Sequence, residues 1–391
     1  MSNKNKVGIL IDRLNVGGVE KIAIEQVIAL RKQGIDATLL ILRKKAVIDK
    51  AFPDLINKIP IIYLDSRLPR ILRFSFKFPI FHFFSSFHIT YPFLLPFFIK
   101  HKEFDYLIAH GTYTAFSAIA IKKIKKIPFS VFIWDPIGYI LNRVYSRKLN
   151  FLLQLFLIIA KKLDALIINQ TEVILTGGEA HNVYFREINP RVKIITIPPS
   201  VYPSSNITSK KENFVLMVTA WKEGKDPGYI FKLIEYLPSM KIYMVGKWLD
   251  PVYREYFEKR VSELKLSQNI SIIGAVSEDE LSNYYSKALL LLQTNDDRGF
   301  GLPALEAAGH GTTFIIPKGQ GVCDLFKDKY HGFFTNEKDT QHIVRILKLL
   351  LTDNDKALEM GKLAWQHVVK SYSWDKHAKK LVNLIKENNE K

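Results

Sequence analysis

The stretch at residues 295–309 carries the residue types best suited to bind an anionic group. Gly299 and Gly301 permit a tight turn and a close approach of the backbone to a ligand, because neither has a Cβ atom. Pro303 suits the first turn of a helix. Backbone N–H groups at such a helix start, together with the helix dipole, favour a phosphate or a departing diphosphate. Glu306 lies one turn further along and can accept hydrogen bonds from vicinal sugar hydroxyls.

The elements that must position these residues follow an alternating pattern. Residues 7–11 form a continuous apolar run, which is typical of a strand buried on both faces. A loop ending in Gly17 and Gly18 follows, and then apolar residues recur with helical spacing as far as Gly34. Further strands are predicted at residues 38–42, 61–64, 106–109, 129–133 and 165–168. This alternation predicts an α/β, doubly wound parallel sheet. The apolar stretch at 152–160 predicts a buried helix.

The pattern restarts after a proline- and serine-rich stretch at residues 198–206, which is typical of a linker. A helix is predicted at 229–236, and an amphipathic helix at 374–385 ends the pattern. Strands of a second α/β sheet are predicted at 214–218, 241–245, 270–273, 288–292 and 313–316. Two such domains present the loops at the carboxyl ends of their strands to a common cleft, where ligands of open α/β sheets bind.

The run Gly299-Phe300-Gly301-Leu302-Pro303, followed by Glu306, resembles the donor motif of the family 4 retaining glycosyltransferases. The resemblance implies the GT-B fold, two Rossmann-like doubly wound domains facing each other across a cleft. It also implies that Glu306 binds the ribose of a nucleotide sugar, and that the backbone near Phe300 and Leu302 meets the donor sugar and phosphates. Arg298 stands where the family has a first glutamate, which is commonly tied to the donor sugar.

Three other segments resemble the same family. Gly17 and Gly18 with Glu20 resemble its N-terminal glycine loop, whose amides face the donor or acceptor. Residues 321–324 resemble its glycine-plus-acid turn, and residues 372–374 resemble the start of its closing helix, which crosses back onto the first domain. The expected N-terminal domain is therefore 1–205, a Rossmann-like domain that faces the acceptor and the membrane. The expected C-terminal domain is 206–370, which binds the nucleotide sugar, and a C-terminal helix at 371–391 is expected to cross back to the N-terminal domain.

The departing diphosphate requires cations, because negative charge develops on it. Lys225 matches the lysine that the family places after the first strand of its second domain. The arginine of that pattern is missing, with Ala220 or Trp221 in its place, and Lys222 is a candidate substitute. The predicted donor-binding residues are Gly17, Gly18, Lys222, Lys225, Arg298, Gly299, Phe300, Gly301, Leu302 and Glu306.

His110 and Asp135 each end a predicted strand, where a Rossmann-like domain places its ligand loops. The family often has a histidine about where Trp134 stands, so Asp135 or His110 is expected to orient the acceptor hydroxyl instead. The predicted catalytic residues are therefore Asp135, His110 and Lys225, the alternative for the first two being ordinary loop polar residues. The family's fold implies no bound metal, and Asp296 and Asp297 are interpreted as solvated loop acids.

A basic, aromatic segment suggests contact with a membrane. The chain carries a net charge of +18, with most of the excess in residues 1–200. Residues 78–99 contain no charge and many phenylalanines, and Arg67, Arg70, Arg73 and Lys77 precede them. A membrane span is disfavoured by the prolines and histidines of this run, and because one crossing would separate strands of a single sheet. We expect an interfacial element on anionic lipid, the alternative being an apolar helix in the core of the first domain.

These observations predict sugar transfer from a nucleotide diphosphate donor to a lipid-linked or cell-surface polysaccharide acceptor. The resemblance implies retention at the anomeric carbon. The single cysteine, Cys323, and the lack of a signal-peptide pattern favour the cytoplasm, with peripheral contact at the inner face of the cell membrane. A catalytically impaired homologue acting as a binding or partner subunit is the alternative. A nucleic-acid partner is not expected, since residues 78–99 are too apolar for a solvated nucleic-acid face.

Overall fold

The computed structural model of the chain divides into two compact units. One unit is Met1–Pro198 together with Asp375–Lys391, and the other is Pro199–Trp374. The residues that the structure describes are 5–15, 17–43, 52–67, 69, 90–100, 102–145, 150–179, 181–294, 299–336 and 338–389. Arg298, Arg70, Arg73, Lys77, Asp296 and Asp297 lie outside these ranges, as does most of the apolar segment at 78–99.

The first unit contains a seven-stranded sheet in the order β3-β2-β1-β4-β5-β6-β7, with every neighbouring pair parallel. Its strands are β1 (Lys6–Ile11), β2 (Asp36–Ile41), β3 (Ile61–Tyr63), β4 (Tyr106–His110), β5 (Phe129–Phe132), β6 (Val173–Thr176) and β7 (Lys193–Thr196). The chain runs outward from β1 to β3 and resumes on the other side at β4. The switch point, beyond whose carboxyl ends an open α/β sheet binds ligands, therefore lies between β1 and β4.

The helices of this unit connect the strands and cover the sheet. They are α1 (Gly18–Lys32), α2 (Pro53–Ile56), α3 (Thr90–Phe98), α4 (Thr112–Lys125), α5 (Ile137–Tyr145), α6 (Asn150–Gln170) and α7 (Asn182–Ile188). In α3, Leu95 is fully buried while Phe97 is 66% exposed, so part of this apolar helix belongs to the core. Among the described residues, none of the helices combines the length and apolarity needed to cross a bilayer.

The second unit contains a six-stranded parallel sheet in the order β10-β9-β8-β11-β12-β13. Its strands are β8 (Glu212–Val218), β9 (Ile242–Val245), β10 (Ile270–Gly274), β11 (Ala288–Leu292), β12 (Thr313–Pro317) and β13 (Phe333–Thr335). Its helices are α8 (Tyr229–Tyr236), α9 (Pro251–Glu263), α10 (Glu278–Lys287), α11 (Leu302–Gly309), α12 (Thr340–Thr352) and α13 (Asn354–Ser371). Here the switch point lies between β8 and β11.

The last helix, α14 (Trp374–Asn389), returns the chain to the first unit. The expected amphipathic pattern is confirmed, because Leu381 and Ile385 are both fully buried. The sequence placed the end of the first domain at residue 205, whereas the compact unit ends at Pro198. The proline- and serine-rich stretch packs on the second unit, where Ser204 N donates to Gly309 O at 2.9 Å and Trp365 Nε1 donates to Ser204 O at 2.9 Å.

The strand predicted at residues 165–168 is wrong, because these residues lie within α6 and the strand follows at Val173–Thr176. The burial pattern shows the helical period. Asp164, Ile167 and Ile168 are buried, whereas Lys162 and Leu166 are exposed. The expectation that residues 152–160 form a buried helix is also partly wrong, since Leu155 is 55% exposed and Ile158 is 56% exposed. A short apolar run does not by itself distinguish a strand from a helix.

Candidate functional site

The glycine-rich turn after β11 is locked to the turn that follows β12. Gly301 adopts a left-handed conformation with φ of 84° and caps the N-terminus of α11. A Cβ atom at Gly301 would lie 2.5 Å from Gln320 Oε1, so a larger residue does not fit. Val322 N donates to Phe300 O at 2.7 Å, and Gly321 N donates to Gly299 O at 3.3 Å. The structure thus joins the donor-like motif and the glycine-plus-acid turn at one edge of the sheet.

The carboxylate of Glu306 accepts a hydrogen bond from a buried phenol. Glu306 is 9% exposed, and Tyr285 OH donates to its Oε2 at 2.7 Å. Burial raises the pKa of Tyr285 well above its ordinary value, and the neighbouring Glu306 adds to that effect. His310 stacks on the Tyr285 ring, and its Nδ1 lies 2.8 Å from Glu306 O. Tyr285 was not among the residues predicted from the sequence, although a tyrosine in a buried position generally needs a partner for its hydroxyl.

A half-buried ammonium group supports the far end of α11. Lys211 Nζ donates to Ser286 O at 2.6 Å, to Thr312 Oγ1 at 2.7 Å and to His310 O at 3.2 Å. Burial lowers the pKa of Lys211 to about 8. Lys211 ties the end of α10 to the end of α11, which are the two helices that carry Tyr285 and Glu306.

The lysine loop follows β8 and is anchored by a buried tryptophan. Trp221 stacks on Trp248 with ring centroids 5.8 Å apart, and its Nε1 donates to Val245 O at 3.1 Å. Lys222 is exposed and Lys225 closes a short 3₁₀ turn, in which Lys225 N donates to Lys222 O at 2.9 Å. Both lysines lie beyond the carboxyl end of β8, on the other side of the switch point from Gly301.

In the first unit, His110 belongs to a buried hydrogen-bonded chain. Its Nε2 lies 2.8 Å from Gln26 Oε1, Gln26 Nε2 lies 3.0 Å from His377 Nε2, and His377 Nδ1 lies 2.8 Å from Pro198 O. Because a carbonyl oxygen only accepts, His110 carries its proton on Nε2 and His377 carries its proton on Nδ1. Burial lowers the pKa of His110 to about 3 and that of His377 to about 4, so both rings are neutral at neutral pH.

Asp135 lies beyond the carboxyl end of β5 and pairs with His181, which was not among the residues predicted from the sequence. Asp135 Oδ1 is 3.4 Å from His181 Nε2, and the edge of Tyr139 packs against the His181 ring at 4.9 Å between centroids. Trp134 stands where the family often has a histidine. Its ring stacks on Phe132 at 5.3 Å and on His110 at 6.0 Å, and His110 and Phe132 stack on each other at 4.9 Å. The aromatic stack joins the ends of β4 and β5.

The N-terminal glycine loop leads directly into α1. Gly17 is extended, and Gly18 is the first residue of the helix. A Cβ atom at Gly17 would lie 2.5 Å from Glu20 Oε2, so the loop and this carboxyl group are in close contact. Burial raises the pKa of Glu20 to about 7, although hydrogen bonds with its own backbone and with Asn15 oppose the rise. Glu20 is therefore a titratable group near neutral pH beside the predicted loop.

The predicted membrane residue Arg67 is engaged in a two-pronged ion pair. Its Nη1 and Nη2 donate to Glu103 Oε2 and Oε1 at 2.8 and 2.7 Å. Burial alone would raise the pKa of Glu103, but hydrogen bonds from Arg67 and from the backbone of Lys100 outweigh it and lower the pKa. The charge of Arg67 is thus balanced within the unit. Within the described ranges, the side chains of His, Cys, Asp and Glu form no group of three or more that would hold a metal ion.

These two parallel α/β units, with a glycine-capped helix and a carboxylate one turn downstream, define the GT-B class of fold. The profile described as Glycosyltransferase Family 4 matches residues 16–204, and that described as Glycosyl transferases group 1 matches residues 202–367. The chain belongs to the family 4, group 1 glycosyltransferases.

Two relatives are similar to part of the chain, and one solved structure is similar in fold. The chain is 30% identical over 160 residues to a D-inositol 3-phosphate glycosyltransferase of Corynebacterium urealyticum, covering 39% of this chain and 37% of that protein. It is 32% identical over 126 residues to the O-antigen chain mannosyltransferase RfbU of Salmonella typhimurium, covering 32% of this chain and 35% of that protein. The Anabaena protein HepE, solved with UDP and glucose, matches 98% of this chain and 100% of its own length with a TM-score of 0.73 at 15% identity.

Proposed function

We propose that the chain transfers a sugar from a nucleoside diphosphate donor to a lipid-linked or cell-surface polysaccharide acceptor, with retention at the anomeric carbon. The observation that carries this proposal is the Glu306 carboxylate, which Tyr285 holds one turn beyond the glycine-capped start of α11. The UDP and glucose named for HepE support a nucleotide-sugar donor. The O-antigen chain named for RfbU supports a surface-polysaccharide acceptor.

Each part of the site has a distinct task in this proposal. Glu306 accepts hydrogen bonds from the ribose hydroxyls. The backbone amides from Gly299 to Leu302, which lead into the start of α11, bind the donor phosphates. Lys225, with Lys222, stabilises the charge that develops on the leaving diphosphate, without a bound metal. Electrostatic stabilisation of this kind commonly contributes about 3–4 kcal/mol for a single group.

The acceptor side is assigned to the first unit. Asp135, oriented by His181 at 3.4 Å, is the better placed of the two predicted residues to orient an acceptor hydroxyl. His110 is neutral and already committed to Gln26, so its contribution is to fix the aromatic stack at the end of β4. Gly17 and Gly18 present backbone amides beside Glu20. Arg298 is assigned to the donor sugar on the resemblance alone.

Calorimetric titration with UDP-glucose and GDP-mannose tests the donor assignment. We expect one of these donors to bind the wild-type chain and Glu306→Ala to weaken its binding at least tenfold, since a charged hydrogen-bond acceptor is lost. Glu359→Ala, an exposed carboxylate on α13, is the matched control and should bind as wild type. Equal binding by the Glu306 and Glu359 variants would contradict the assignment. Addition of EDTA should leave binding and donor turnover unchanged.

A catalytically impaired binding subunit is the second candidate, and the alanine at position 220 favours it, because an arginine of the family pattern is missing there. The two candidates differ in turnover. An active transferase releases nucleoside diphosphate from its donor slowly in water and faster with acceptor, whereas a binding subunit releases none. Product release by the wild-type chain that Glu306→Ala abolishes would exclude the second candidate.

Peripheral contact with the inner face of the cell membrane rests on the basic residues before the aromatic segment. Because Arg67 is paired with Glu103, we assign this contact to Arg70, Arg73 and Lys77 rather than to Arg67. Flotation with vesicles containing phosphatidylglycerol should recover the wild-type chain and lose the triple alanine variant of these residues. Vesicles of phosphatidylcholine alone are the control. Equal flotation of the wild type and the triple variant would contradict lipid contact through these charges.

A further inference from the structure

The pairing of β8 with β9 continues beyond the ends of both strands. The last strand pair is Val218 with Val245, and an isolated parallel bridge joins Trp221 to Trp248 in the same register. Trp221 N donates to Lys247 O at 2.8 Å, and Leu249 N donates to Trp221 O at 2.9 Å. Between the two pairs, Gly246 approaches the backbone of Thr219 so closely that a Cβ atom would lie 1.9 Å from Thr219 O. The two loops therefore stay side by side past the sheet.

This register places Lys247 beside Ala220. Trp221 and Trp248 point together into the core, where they are 1% and 7% exposed. Side chains alternate between the two faces of an extended segment, so the residues that precede the tryptophans, Ala220 and Lys247, emerge together on the opposite face. Lys247 is exposed, and among the described residues its ammonium group has no hydrogen-bond or ion-pair partner.

The same geometry decides which residue occupies the position of the missing arginine. The sequence left Ala220 and Trp221 as alternatives, but the buried and stacked Trp221 ring points away from solvent. Ala220 is therefore the position from which a longer side chain would reach the ligand edge of the sheet. Neighbouring strands lie about 4.8 Å apart, and a lysine side chain is long enough to cover that offset. Lys247 can thus deliver a cation to the volume that an arginine at 220 would occupy.

We propose that Lys247 binds the donor diphosphate in place of the arginine missing at Ala220. This inference rests on the proposed nucleotide-sugar function. Lys247 adds a third positive charge on one side of the switch point, where Lys222 and Lys225 follow β8 and Lys247 follows the adjacent strand β9. On the other side, β11 leads to the glycine-capped start of α11. A diphosphate between them is bound by amides from one side and by ammonium groups from the other.

The test compares a nucleoside diphosphate with its nucleoside. We expect Lys247→Ala to weaken the binding of the preferred nucleoside diphosphate, UDP or GDP, about tenfold. A loss of this size is typical of one lost charged contact. Binding of uridine or guanosine should stay within twofold of wild type. Lys241→Ala is the matched control, because Lys241 is an exposed lysine at the opposite end of β9. It should alter neither affinity.

Rescue separates a phosphate contact from a structural role. The double change Ala220→Arg with Lys247→Ala should restore UDP affinity to within threefold of wild type, since the guanidinium returns to the same edge. Three outcomes would overturn the inference. In Lys247→Ala, these are an equal loss of affinity for UDP and for uridine, or an unchanged affinity for UDP. In the double variant, the outcome is no recovery of UDP affinity although its circular dichroism matches that of wild type. If the wild-type chain binds nucleotides and only the Lys247 variants give one of these outcomes, the inference is overturned and the proposed function stands. If wild type binds neither UDP nor GDP, both are overturned.

Discussion

At the scale of single residues, the most informative feature is a carboxylate held by a phenol. Glu306 is largely buried, and a buried charge is costly unless it is paired or hydrogen-bonded. The hydrogen bond from Tyr285 OH at 2.7 Å meets part of this requirement and fixes one carboxylate oxygen. Tyr285 lies on α10 and its side chain is itself buried, so packing in the core, and not solvent, fixes the direction of this hydrogen bond. Tyr285 is therefore expected to act as a positioning residue.

Tyr285→Phe should reduce nucleotide-sugar affinity about fivefold, since Glu306 loses one donor and can rotate away from the ribose that it is proposed to bind. Isothermal titration with the preferred nucleoside diphosphate and with its 2′,3′-dideoxy analogue measures the effect. The analogue lacks the hydroxyls that Glu306 is proposed to bind, so its weaker binding should not change further. Tyr284→Phe, the half-buried neighbour, is the control. Equal losses for the nucleotide and its analogue would indicate general damage to the unit instead of a positioning role.

Glu20 provides a second residue-level prediction, which concerns pH. Burial raises its folded pKa from 4.5 to about 7, so the folded chain holds this proton more tightly than the unfolded chain. Its contribution to stability is therefore complete below pH 4.5 and is lost as the pH rises towards and through 7. Glu20→Gln, which stays neutral, should be more stable than wild type by about 2 kcal/mol at pH 8 and about equal to it at pH 4.

Urea unfolding at pH 4, 6 and 8 measures this difference, with the exposed Glu359→Gln as control. The control should show no change with pH relative to wild type. A Glu20→Gln variant that is less stable than wild type at pH 8 would mean that the ionised carboxylate is favoured in the fold. It would contradict the raised pKa.

At the scale of elements, the strands and turns with strong local signals were predictable. The strand at 288–292 and the helix at 229–236 match the structure, because a continuous apolar run and a regular helical period are local properties. The glycine-capped start of α11 was predictable for the same reason, since only glycine suits the left-handed position before Pro303. The failure at 165–168 arose where α6 has apolar residues on its exposed as well as its buried face.

Side-chain pairings between distant elements were not predictable. Gln26 and His377 are separated by 351 positions, and nothing in either local sequence indicates the other. The pairs Tyr285–Glu306 and Asp135–His181 depend on how neighbouring elements meet at one edge of a sheet. The place of Lys247 beside Ala220 depends on strand register, which a single sequence does not reveal between parallel strands. The strands β7 and β13 were also missed.

The junction of β8 and β9 yields the prediction at this scale. Gly246 has a φ of 126°, and a Cβ atom there would lie 1.9 Å from Thr219 O, so Gly246→Ala combines backbone strain with a collision. Gly274, with φ of 85° at the end of β10, has open space around it. We expect Gly246→Ala to destabilise the chain by about 3 kcal/mol or more and Gly274→Ala by about 1 kcal/mol. Denaturant unfolding checks the order, and a larger cost at Gly274 would contradict the close approach of the two loops.

At the scale of the whole molecule, the order of the chain and the order of the folded units differ. The unit formed by Met1–Pro198 is completed by Asp375–Lys391, which the chain reaches only after the second unit. The connection is specific, because His377 accepts from Gln26 on α1 and donates to Pro198 O at the end of the same unit. Ala378, Leu381, Leu384 and Ile385 of α14 are buried at 3% exposure or less. The first unit therefore lacks part of its core until the last residues are in place.

Deleting residues 375–391 should destabilise the first unit although none of its first 198 residues changes. Losing buried leucine and isoleucine side chains costs about 1.5–3 kcal/mol each, and leaving the Gln26 amide unpaired adds about 1–3 kcal/mol. Hydrogen exchange should therefore accelerate more than a hundredfold in α1 and β4, while β8 and β11 keep their protection. The milder His377→Ala should accelerate exchange about tenfold in the same segments. Lys379→Ala on the exposed face of α14 is the control. Unchanged protection of α1 and β4 in the truncated chain would show that the first 198 residues fold without the returning helix.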